Sequence, residues 1–378
     1  MHLDQNPNLY DAAVIAILDA YSSFSYKPQH SQWTILASFF LTRRRSTPSV
    51  GVEGGEDEIK VISLATGTKC LPTNRFSPRG ETVHDCHAEV LARRSALRWF
   101  LEEILRICSS DGVGSFCSAW IALGKDGKYA PRKGVHLNLY VSTLPCGDAS
   151  MGYLASTQDE TMAAMKSSSV FPELESTAAS RGRDDYARLG VLRTKPGRAD
   201  SPPTSCMSCS DKIAKWNVLG IQGALGSNFL SPLYIEAVII GEVPMNLRTI
   251  ARDDCERAFW RRLGEFQVQR PIIHFTDLPF PHSRSVLGSS TSCNESLCWS
   301  ADSQPLEILI NGLKRGVSPK HRYREKSSDS STYFQAKLAS SDYQIAKQKL
   351  LKEPGPFAGW IVSESHWQQF DINGEVQS

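Results

Sequence analysis

The chain is organised around residues 82–94, T-V-H-D-C-H-A-E-V-L-A-R-R. Within them, His87 and Glu89 place an imidazole and a carboxylate two residues apart. Apolar residues follow at helical spacing, which predicts a helix over residues 87–108 that begins at this pair. The common explanation of such a pair is structural, a buried histidine and a first-turn glutamate that the helix dipole favours. The other explanation is chemical, and the rest of the chain decides between them.

Composition sets the class of the chain. It has 378 residues, with 42 Lys and Arg against 40 Asp and Glu, and a formal net charge of +2. This balance gives no global attraction to nucleic acid, so any RNA contact must come from a local patch. The first residues lack a signal-peptide pattern, and no apolar run reaches the ~18 residues of a membrane span. We expect an intracellular protein, cytoplasmic, nuclear or both, that is not secreted, contacts no membrane and shows no sign of an obligatory protein partner.

Strands and helices alternate along the chain. Besides helix 87–108, residue patterns predict helices at 8–23, 211–220 and 331–351, and strands at 33–41, 59–65, 136–142, 237–241 and 359–362. A polar insertion at 156–205 and a Ser-rich loop at 281–303 interrupt them. The sequence has no internal repeat and no clear linker. We therefore expect a single α/β domain over residues 1–378.

Cysteine positions favour the chemical explanation of the H-x-E. Ten cysteines are scattered over a chain without an export signal, which argues against a disulfide framework. In zinc deaminases, H-x-E supplies one metal ligand and a proton shuttle, and a downstream P-C-x-x-C supplies thiolates. Pro145-Cys146 follows the predicted strand 136–142, but position 149 is Ala, so the third ligand must come from elsewhere. Cys206 and Cys209 are the candidates, and their spacing does not say which one binds.

The C-x-x-C at 206–209 also has two other interpretations. It could be half of a separate structural zinc site, but the chain has no second C-x-x-C to complete four thiolates. It could be a redox pair, but it lacks a thioredoxin-like context. A His-Cys-Cys site completed by one of its cysteines is the best-supported hypothesis.

Three motifs in order carry a resemblance to a known family: T-V-H-D-C-H-A-E at 82–89, T-L-P-C-G-D-A at 143–149 and S-C-S-D-K-I-A-K-W-N-V-L-G-I-Q-G at 208–223. Over about residues 64–360 the sequence resembles the catalytic domain of the adenosine deaminases that act on RNA. The resemblance implies an elaborated cytidine-deaminase-like fold of three layers, with a central mixed sheet and helices on both faces. It implies hydrolysis of adenosine to inosine, with Zn²⁺ on His87, Cys146 and Cys209 and with Glu89 as proton shuttle.

The resemblance also explains cations that lie between apolar residues. Each alone would extend to solvent, but together they would be costly to bury without an anion. A relay of Asp85, Lys195 and Lys212 is implied between that anion and the zinc thiolates. The implied anion is a buried, structural inositol hexakisphosphate, contacted by Arg93, Arg94, Lys212, Lys215, Trp216, Gln222, Lys320, Tyr333, Lys337, Tyr343, Lys347 and Trp360.

This sequence differs from the family members that act on RNA duplexes, and the differences narrow the class of RNA that the resemblance implies as substrate. Ser150 stands where those members carry an arginine, and residues 196–204 differ from their base-flipping loop. A base that is already unpaired needs less unstacking. The resemblance therefore implies the tRNA branch of the family, acting at position 37 in the anticodon stem-loop of alanine tRNA. Thr68 and Lys69 match nucleotide-contacting positions, and the candidates for phosphate contact are Lys69, Arg181, Arg183, Arg188, Arg193 and Arg198.

Two alternatives stay open from the sequence. One is an adenosine deaminase that edits another structured RNA. The other is a non-catalytic RNA-binding relative, against which the intact Glu89 argues. A free-nucleoside or cytidine deaminase is disfavoured because position 149 is not a cysteine.

Overall fold

The computed structural model describes residues 7–29, 31–44, 57–109, 117–158, 179–182, 185–196, 202, 204–302, 305–316 and 331–377. Most of the predicted insertion at 156–205 lies outside the described residues, and so do Lys320, Arg183 and Arg198. No helix in the described part of the chain has the length and apolar character needed to cross a lipid bilayer.

Helices and strands alternate as expected. The helices are α1 Pro7–Ser23, α2 Ala88–Cys108, α3 Met151–Thr157, α4 Cys209–Leu219, α5 Gly223–Gly226, α6 Arg248–Phe259, α7 Arg284–Leu287, α8 Tyr333–Leu338 and α9 Ser341–Leu351. The strands are β1 Leu36–Arg44, β2 Asp57–Thr66, β3 Thr68–Cys70, β4 Asp85–His87, β5 Ile121–Leu123, β6 Tyr129–Pro131, β7 Val135–Val141, β8 Ser180–Arg181, β9 Arg193–Thr194, β10 Ile235–Ile240, β11 Ile272–Phe275, β12 Glu295–Ser300, β13 Glu307–Ile310 and β14 Leu313–Lys314.

An eight-stranded mixed sheet lies at the centre, in the order β11-β10-β7-β1-β2-β12-β13-β14. Strands β7, β10 and β11 run parallel, and the other neighbours pair antiparallel. Phe39 and Phe40 point to opposite faces of β1, and both are fully buried. The sheet is therefore covered on both sides.

Helices form the outer layers. Phe39 packs with α2, α4 and α6 in one core, and Phe40 packs with α1 in a second core on the opposite face. These two cores confirm the predicted α/β fold, with a central mixed sheet and helices on both faces.

The prediction of one Ser-rich loop over residues 281–303 is wrong. This segment contains α7 and strand β12, which pairs with β2 on one side and β13 on the other. Leu297 is fully buried in this strand. The strand owes its structure to pairing with distant segments, which outweighs the loop-like local composition.

The C-terminal predictions also need correction. The single helix predicted at 331–351 is two helices, α8 and α9, separated at Ala339 and Ser340. The Ser340 hydroxyl hydrogen bonds to Asn228 Oδ1 at 2.9 Å and also to a carbonyl oxygen of α5, which anchors the break. The strand predicted at 359–362 is absent: the backbone turns there, and Trp360 N donates to the Phe357 carbonyl oxygen at 2.9 Å.

Candidate active site

Three separate segments bring the predicted metal ligands together. His87 ends β4, and its extended backbone (φ −67°, ψ 143°) makes it the N-cap residue of α2. Cys146 lies in the loop after β7, and Cys209 is the first residue of α4. The carboxyl ends of strands in an open α/β sheet are where ligand sites form, so the fold places this cluster where chemistry is expected.

The distances suit one metal ion. His87 Nδ1 lies 3.8 Å from Cys146 Sγ and 3.6 Å from Cys209 Sγ. All three ligand atoms lie within 4.8 Å of one another, so one ion at about 2.0–2.3 Å from each could sit between them. Cys206 lies outside this cluster, because its thiol faces the His84 carbonyl oxygen at 3.6 Å. The structure therefore favours Cys209 over Cys206.

Glu89 lies in the first turn of α2 beside this cluster. The residue is 2% exposed, and its Oε2 has no hydrogen-bond partner among the described residues. Burial raises the pKa of the carboxyl, and the charge of Cys146 raises it further. Buried carboxylate oxygens normally have a hydrogen-bond partner. The Oε2 of Glu89 is therefore available to bind a water or a substrate atom.

The two cysteine loops approach closely at Gly147. This residue has φ 102°, and a Cβ there would overlap the side chains of Ser208 and Ser210. A larger residue would strain the backbone and separate the loops. The neighbouring thiol of Cys209, with His87 and Lys195, lowers the pKa of Cys146 well below its usual range. Cys146 is thus prepared to bind as a thiolate.

Buried acids that the sequence analysis missed fix both loops. Asp148, next to the Cys146 loop, is fully buried and accepts from Arg257 Nε at 3.1 Å and Gly190 N at 2.9 Å. Asp211, in the first turn of α4, is also fully buried and accepts from Arg262 Nη2 at 2.6 Å. The one signal in the sequence was an acid beside each cysteine motif, in G-D-A and S-D-K.

The three predicted relay residues meet beside Cys209. Lys195 Nζ donates to Asp85 Oδ2 at 2.8 Å and to Cys209 Sγ at 3.1 Å, and Lys212 contacts the same carboxylate. Burial opposes ionisation of Asp85, but the two lysines outweigh it and hold the pKa of the carboxyl well below its usual range. Cys70, Asp85 and His87 form a second group whose ligand atoms lie within 4.8 Å of one another. This group is less suited to a metal ion, because the Asp85 carboxylate already pairs with Lys195 and Lys212.

Four cations from different helices lie near one another and near Lys212: Arg93, Lys215, Lys337 and Lys347, here called the cation cluster. Burial lowers the pKa of Lys215 well below its usual range, and the other three members, with Lys212, lower it further. Burial and the charge of Lys347 lower the pKa of Lys337 to about 8. Arg93 Nε is buried and has no hydrogen-bond partner among the described residues. This arrangement is unfavourable without an anion.

Aromatic rings frame the cation cluster. Arg93 lies 5.6 Å from the Trp216 ring, and Lys215 lies 4.3 Å from the Trp360 ring. Tyr333 is 39% exposed and lies 4.9 Å from the ammonium of Lys337. Tyr343 and Trp360 pack against the same small apolar core.

Two residues expected at the anion have other surroundings. Arg94 is exposed, and its charge acts on His84, Cys86 and Cys298 as well as on Arg93. The amide of Gln222 is used inside the protein, donating to the Leu219 carbonyl oxygen at 2.6 Å.

The structure shows the surroundings of three residues that were predicted to contact RNA. Thr68 pairs with His87 across β3 and β4, and its Oγ1 is buried without a partner among the described residues. Lys69 Nζ donates to Ser292 Oγ at 2.8 Å. The prediction that Arg193 contacts phosphate is wrong, because this residue is fully buried and its guanidinium donates to backbone carbonyl oxygens, including that of Asp185 at 3.1 Å.

A mixed sheet covered on both faces, with an H-x-E at a helix start and two cysteines beside it, is the arrangement of a deaminase. The family model of the adenosine-deaminase (editase) domain matches residues 63–330. The chain therefore belongs to the adenosine-deaminase (editase) family, and it is a deaminase.

Individual relatives are similar over most of the chain. The tRNA-specific adenosine deaminase 1 of Drosophila melanogaster is 32% identical over 338 residues, which cover 84% of this chain and 75% of that protein. The tRNA-specific adenosine deaminase 1 of Schizosaccharomyces pombe is 28% identical over 347 residues, covering 84% and 82%. The double-stranded RNA-specific editase B2 of Mus musculus is 34% identical over 374 residues, covering 89% of this chain but 48% of that protein.

Proposed function

We propose that this protein catalyses zinc-dependent hydrolytic deamination of adenosine to inosine in tRNA, at position 37 next to the anticodon of alanine tRNA. The observation that carries the proposal is the cluster of His87, Cys146 and Cys209 beside the unpartnered oxygen of Glu89. Similarity to tRNA-specific relatives over most of their length supports the substrate. In this proposal residues 1–378 form a single editase domain that acts in the cytoplasm, the nucleus or both, without an obligatory protein partner.

The donor set fits Zn²⁺. One imidazole and two thiolates are ligands that zinc prefers, and three protein ligands leave a fourth position open for water. When bound, Zn²⁺ supplies the Lewis acidity that makes a hydroxide nucleophile available near neutral pH. Lys195 donates to Cys209 Sγ and so compensates part of the negative charge of the two thiolates.

Glu89 moves the protons of the reaction. Its free Oε2 takes a proton from the attacking water and passes it to the adenine ring nitrogen. In a second transfer Glu89 takes the remaining proton from the oxygen added at C6 and gives it to the departing amino group, so that adenosine and water give inosine and ammonia. One carboxylate suits this sequence because it serves first as a base and then as an acid.

Inositol hexakisphosphate is proposed as a structural cofactor in the cation cluster. The unpartnered Nε of Arg93 and the mutual repulsion of Lys215, Lys337 and Lys347 are the observations that support it. A bound polyanion would compensate charges that are otherwise costly to bury. Lys212 lies near the cation cluster and also pairs with Asp85. The proposed relay would therefore run from the anion through Lys212, Asp85 and Lys195 to Cys209.

A second candidate function is editing of another structured RNA. The observation in its favour is the 34% identity to the double-stranded RNA-specific editase B2, which is as high as the identity to the tRNA-specific relatives. Ser150, in place of the arginine expected from the duplex-acting members, favours tRNA.

The test compares wild type with Glu89→Gln on transcribed alanine tRNA and on an RNA hairpin, with inosine read by sequencing and zinc measured in both proteins. We expect inosine at position 37 from wild type, and a rate reduced by roughly 10²–10⁴-fold in Glu89→Gln with zinc retained. Inosine in the hairpin alone would support the second candidate. A folded wild type without zinc would contradict the metal site itself.

A further inference from the structure

A surface cavity of about 330 Å³ shares no lining residue with the candidate active site or the cation cluster. Its lining consists of Arg248, Thr249, Arg252, His274 and Phe275. The first three belong to the start of α6, and the last two end β11. Most of these side chains are hydrogen-bond donors, which suits an anionic ligand.

The two arginines are held in place beside the cavity. Their guanidinium carbons lie 5.9 Å (Arg248) and 5.4 Å (Arg252) from the centre of the Phe275 ring, which is 7% exposed. Arg252 is itself exposed and also donates to the Ile273 carbonyl oxygen at 2.8 Å. Stacking on a buried ring reduces the conformational freedom that an arginine must lose when it binds a ligand.

The charges around the cavity leave capacity for an anion. Arg252 has no carboxylate partner among the described residues, whereas Arg248 pairs with Asp277, whose side chain is 79% exposed. Such a surface pair contributes little, about 0–1 kcal/mol, so a stronger anion can replace it. His274 Nε2 is buried without a hydrogen-bond partner among the described residues and lies 4.0 Å from Asp11 Oδ1.

Backbone groups add to the same preference. The N-cap residue of α6, Leu247, has no side chain that could accept from the first-turn N–H groups. The Arg248 N–H already donates to the Met245 carbonyl oxygen, so the remaining first-turn N–H groups and the positive end of the helix dipole lie next to Arg248 and Thr249 in the cavity wall. An arginine fork together with backbone N–H groups matches the geometry of a phosphate.

The sheet connects this cavity to the chemistry. Because β7, β10 and β11 are parallel, their carboxyl ends at Val141, Ile240 and Phe275 lie along one edge. Cys146 follows the first of these ends, and the cavity lies at the last. Two strand spacings amount to about 10 Å. A polyanionic chain bound across this edge would extend over a few nucleotides from one site to the other.

We propose that the cavity lined by Arg248, Arg252 and His274 binds a backbone phosphate of the RNA whose adenosine enters the candidate active site. This inference rests on the proposed function, since it takes tRNA as the substrate. The contact fixes the position of the RNA and carries no sequence information.

The test measures tRNA affinity at several salt concentrations for wild type, Arg248→Ala, Arg252→Ala and Arg252→Lys. The control is Arg261→Ala, because Arg261 lies just beyond the other end of α6, is 52% exposed and pairs with Asp253 and Glu256. Arg252→Ala should weaken tRNA binding roughly tenfold and lower the salt dependence of log Kd by about one ion, with inosine formation at saturating tRNA unchanged. Arg252→Lys keeps the charge and should retain the salt dependence. Arg261→Ala should match wild type.

Three results would overturn the inference. If Arg248→Ala and Arg252→Ala both bind tRNA as Arg261→Ala does, the cavity does not contact the RNA. If wild type binds inorganic phosphate in ³¹P spectra and Arg252→Ala does not, while tRNA affinity is equal, the cavity serves a small phosphate ligand instead. If wild type itself binds no tRNA, the proposed function fails and this inference fails with it. The first result differs, because there wild type still binds tRNA and only the cavity contact is excluded.

Discussion

At the scale of single residues, the two cysteines of the C-x-x-C have different surroundings. Cys209 Sγ lies 3.6 Å from His87 Nδ1, whereas the Cys206 thiol faces a backbone carbonyl oxygen. We therefore expect Cys209→Ala to lower zinc affinity by more than roughly 100-fold, the upper range for residues that only support a ligand. Cys206→Ala should keep zinc and inosine formation. Metal analysis of the two purified variants checks this, and equal zinc contents would show that the ligand assignment is mistaken.

The spacing of residues in the sequence could not decide between Cys206 and Cys209 as the third metal ligand. Cys206 and Cys209 have the same chemistry, and only the start of α4 at Cys209 turns one of them towards His87. Arg193 shows the opposite failure: its charge suggested a phosphate contact, but backbone carbonyl oxygens surround its buried guanidinium. The burial of Arg193 depends on how residue 182 and residues 185–188 pack against residues 193–194, and residue type alone does not contain that information.

At the scale of elements, the start of α4 depends on one buried ion pair. Asp211 accepts from Arg262, from Ser208 Oγ at 2.6 Å and from Arg193 N at 2.9 Å, and it is fully buried. Asp211→Asn leaves the Arg262 charge buried without its partner. We expect it to lower the free energy of unfolding by ~3–5 kcal/mol, measured by urea denaturation.

A matched substitution tests the role of burial in that loss. Asp253 also pairs with an arginine, Arg261, but the two side chains are 61% and 52% exposed. Asp253→Asn should therefore cost much less stability than Asp211→Asn. Similar losses in Asp211→Asn and Asp253→Asn would mean that burial does not set the strength of the pair.

Local patterns predicted the elements that carry the site. The strand before Cys146 and the helices after His87 and Cys209 lie within two residues of their predicted bounds, because regular apolar periodicity marks each of them. The C-terminal helix failed because the residue that breaks it, Ser340, bonds to Asn228, more than a hundred positions away in sequence. Local periodicity has no access to such a contact.

At the scale of the whole molecule, the cation cluster connects elements that are distant in sequence. Arg93 comes from α2, Lys215 from α4, Lys337 from α8 and Lys347 from α9. In the ligand-free protein these cations repel one another: Arg93, Lys337 and Lys347 lower the pKa of Lys215, and Lys347 also lowers that of Lys337. An anion bound among them would convert this repulsion into attraction and hold the C-terminal helices against the catalytic core.

The pKa of Lys337 makes this attraction depend on pH. In the ligand-free fold the pKa is about 8, below the ~10.4 of an ordinary lysine. Below pH 8 the amine is charged with or without the anion. As pH rises from 8 towards 10 the ligand-free fold loses this proton, and anion binding must recover it. The affinity for inositol hexakisphosphate should therefore fall by up to about tenfold per pH unit. Over the same range the ligand-free protein should gain stability, because its unfolded state binds more protons.

Thermal unfolding with and without inositol hexakisphosphate at pH 7 and pH 9 checks this prediction, using protein prepared without the anion. The rise in Tm on adding the anion should be smaller at pH 9 than at pH 7. Lys337→Arg is the matched control, since an arginine stays charged over this range and should lose much of the pH dependence while keeping the rise at pH 7. The anion's own phosphates ionise further at high pH, but they do so equally for both proteins, so the comparison isolates Lys337. An identical pH response in the two proteins would place the anion away from Lys337 and remove α8 from its surroundings.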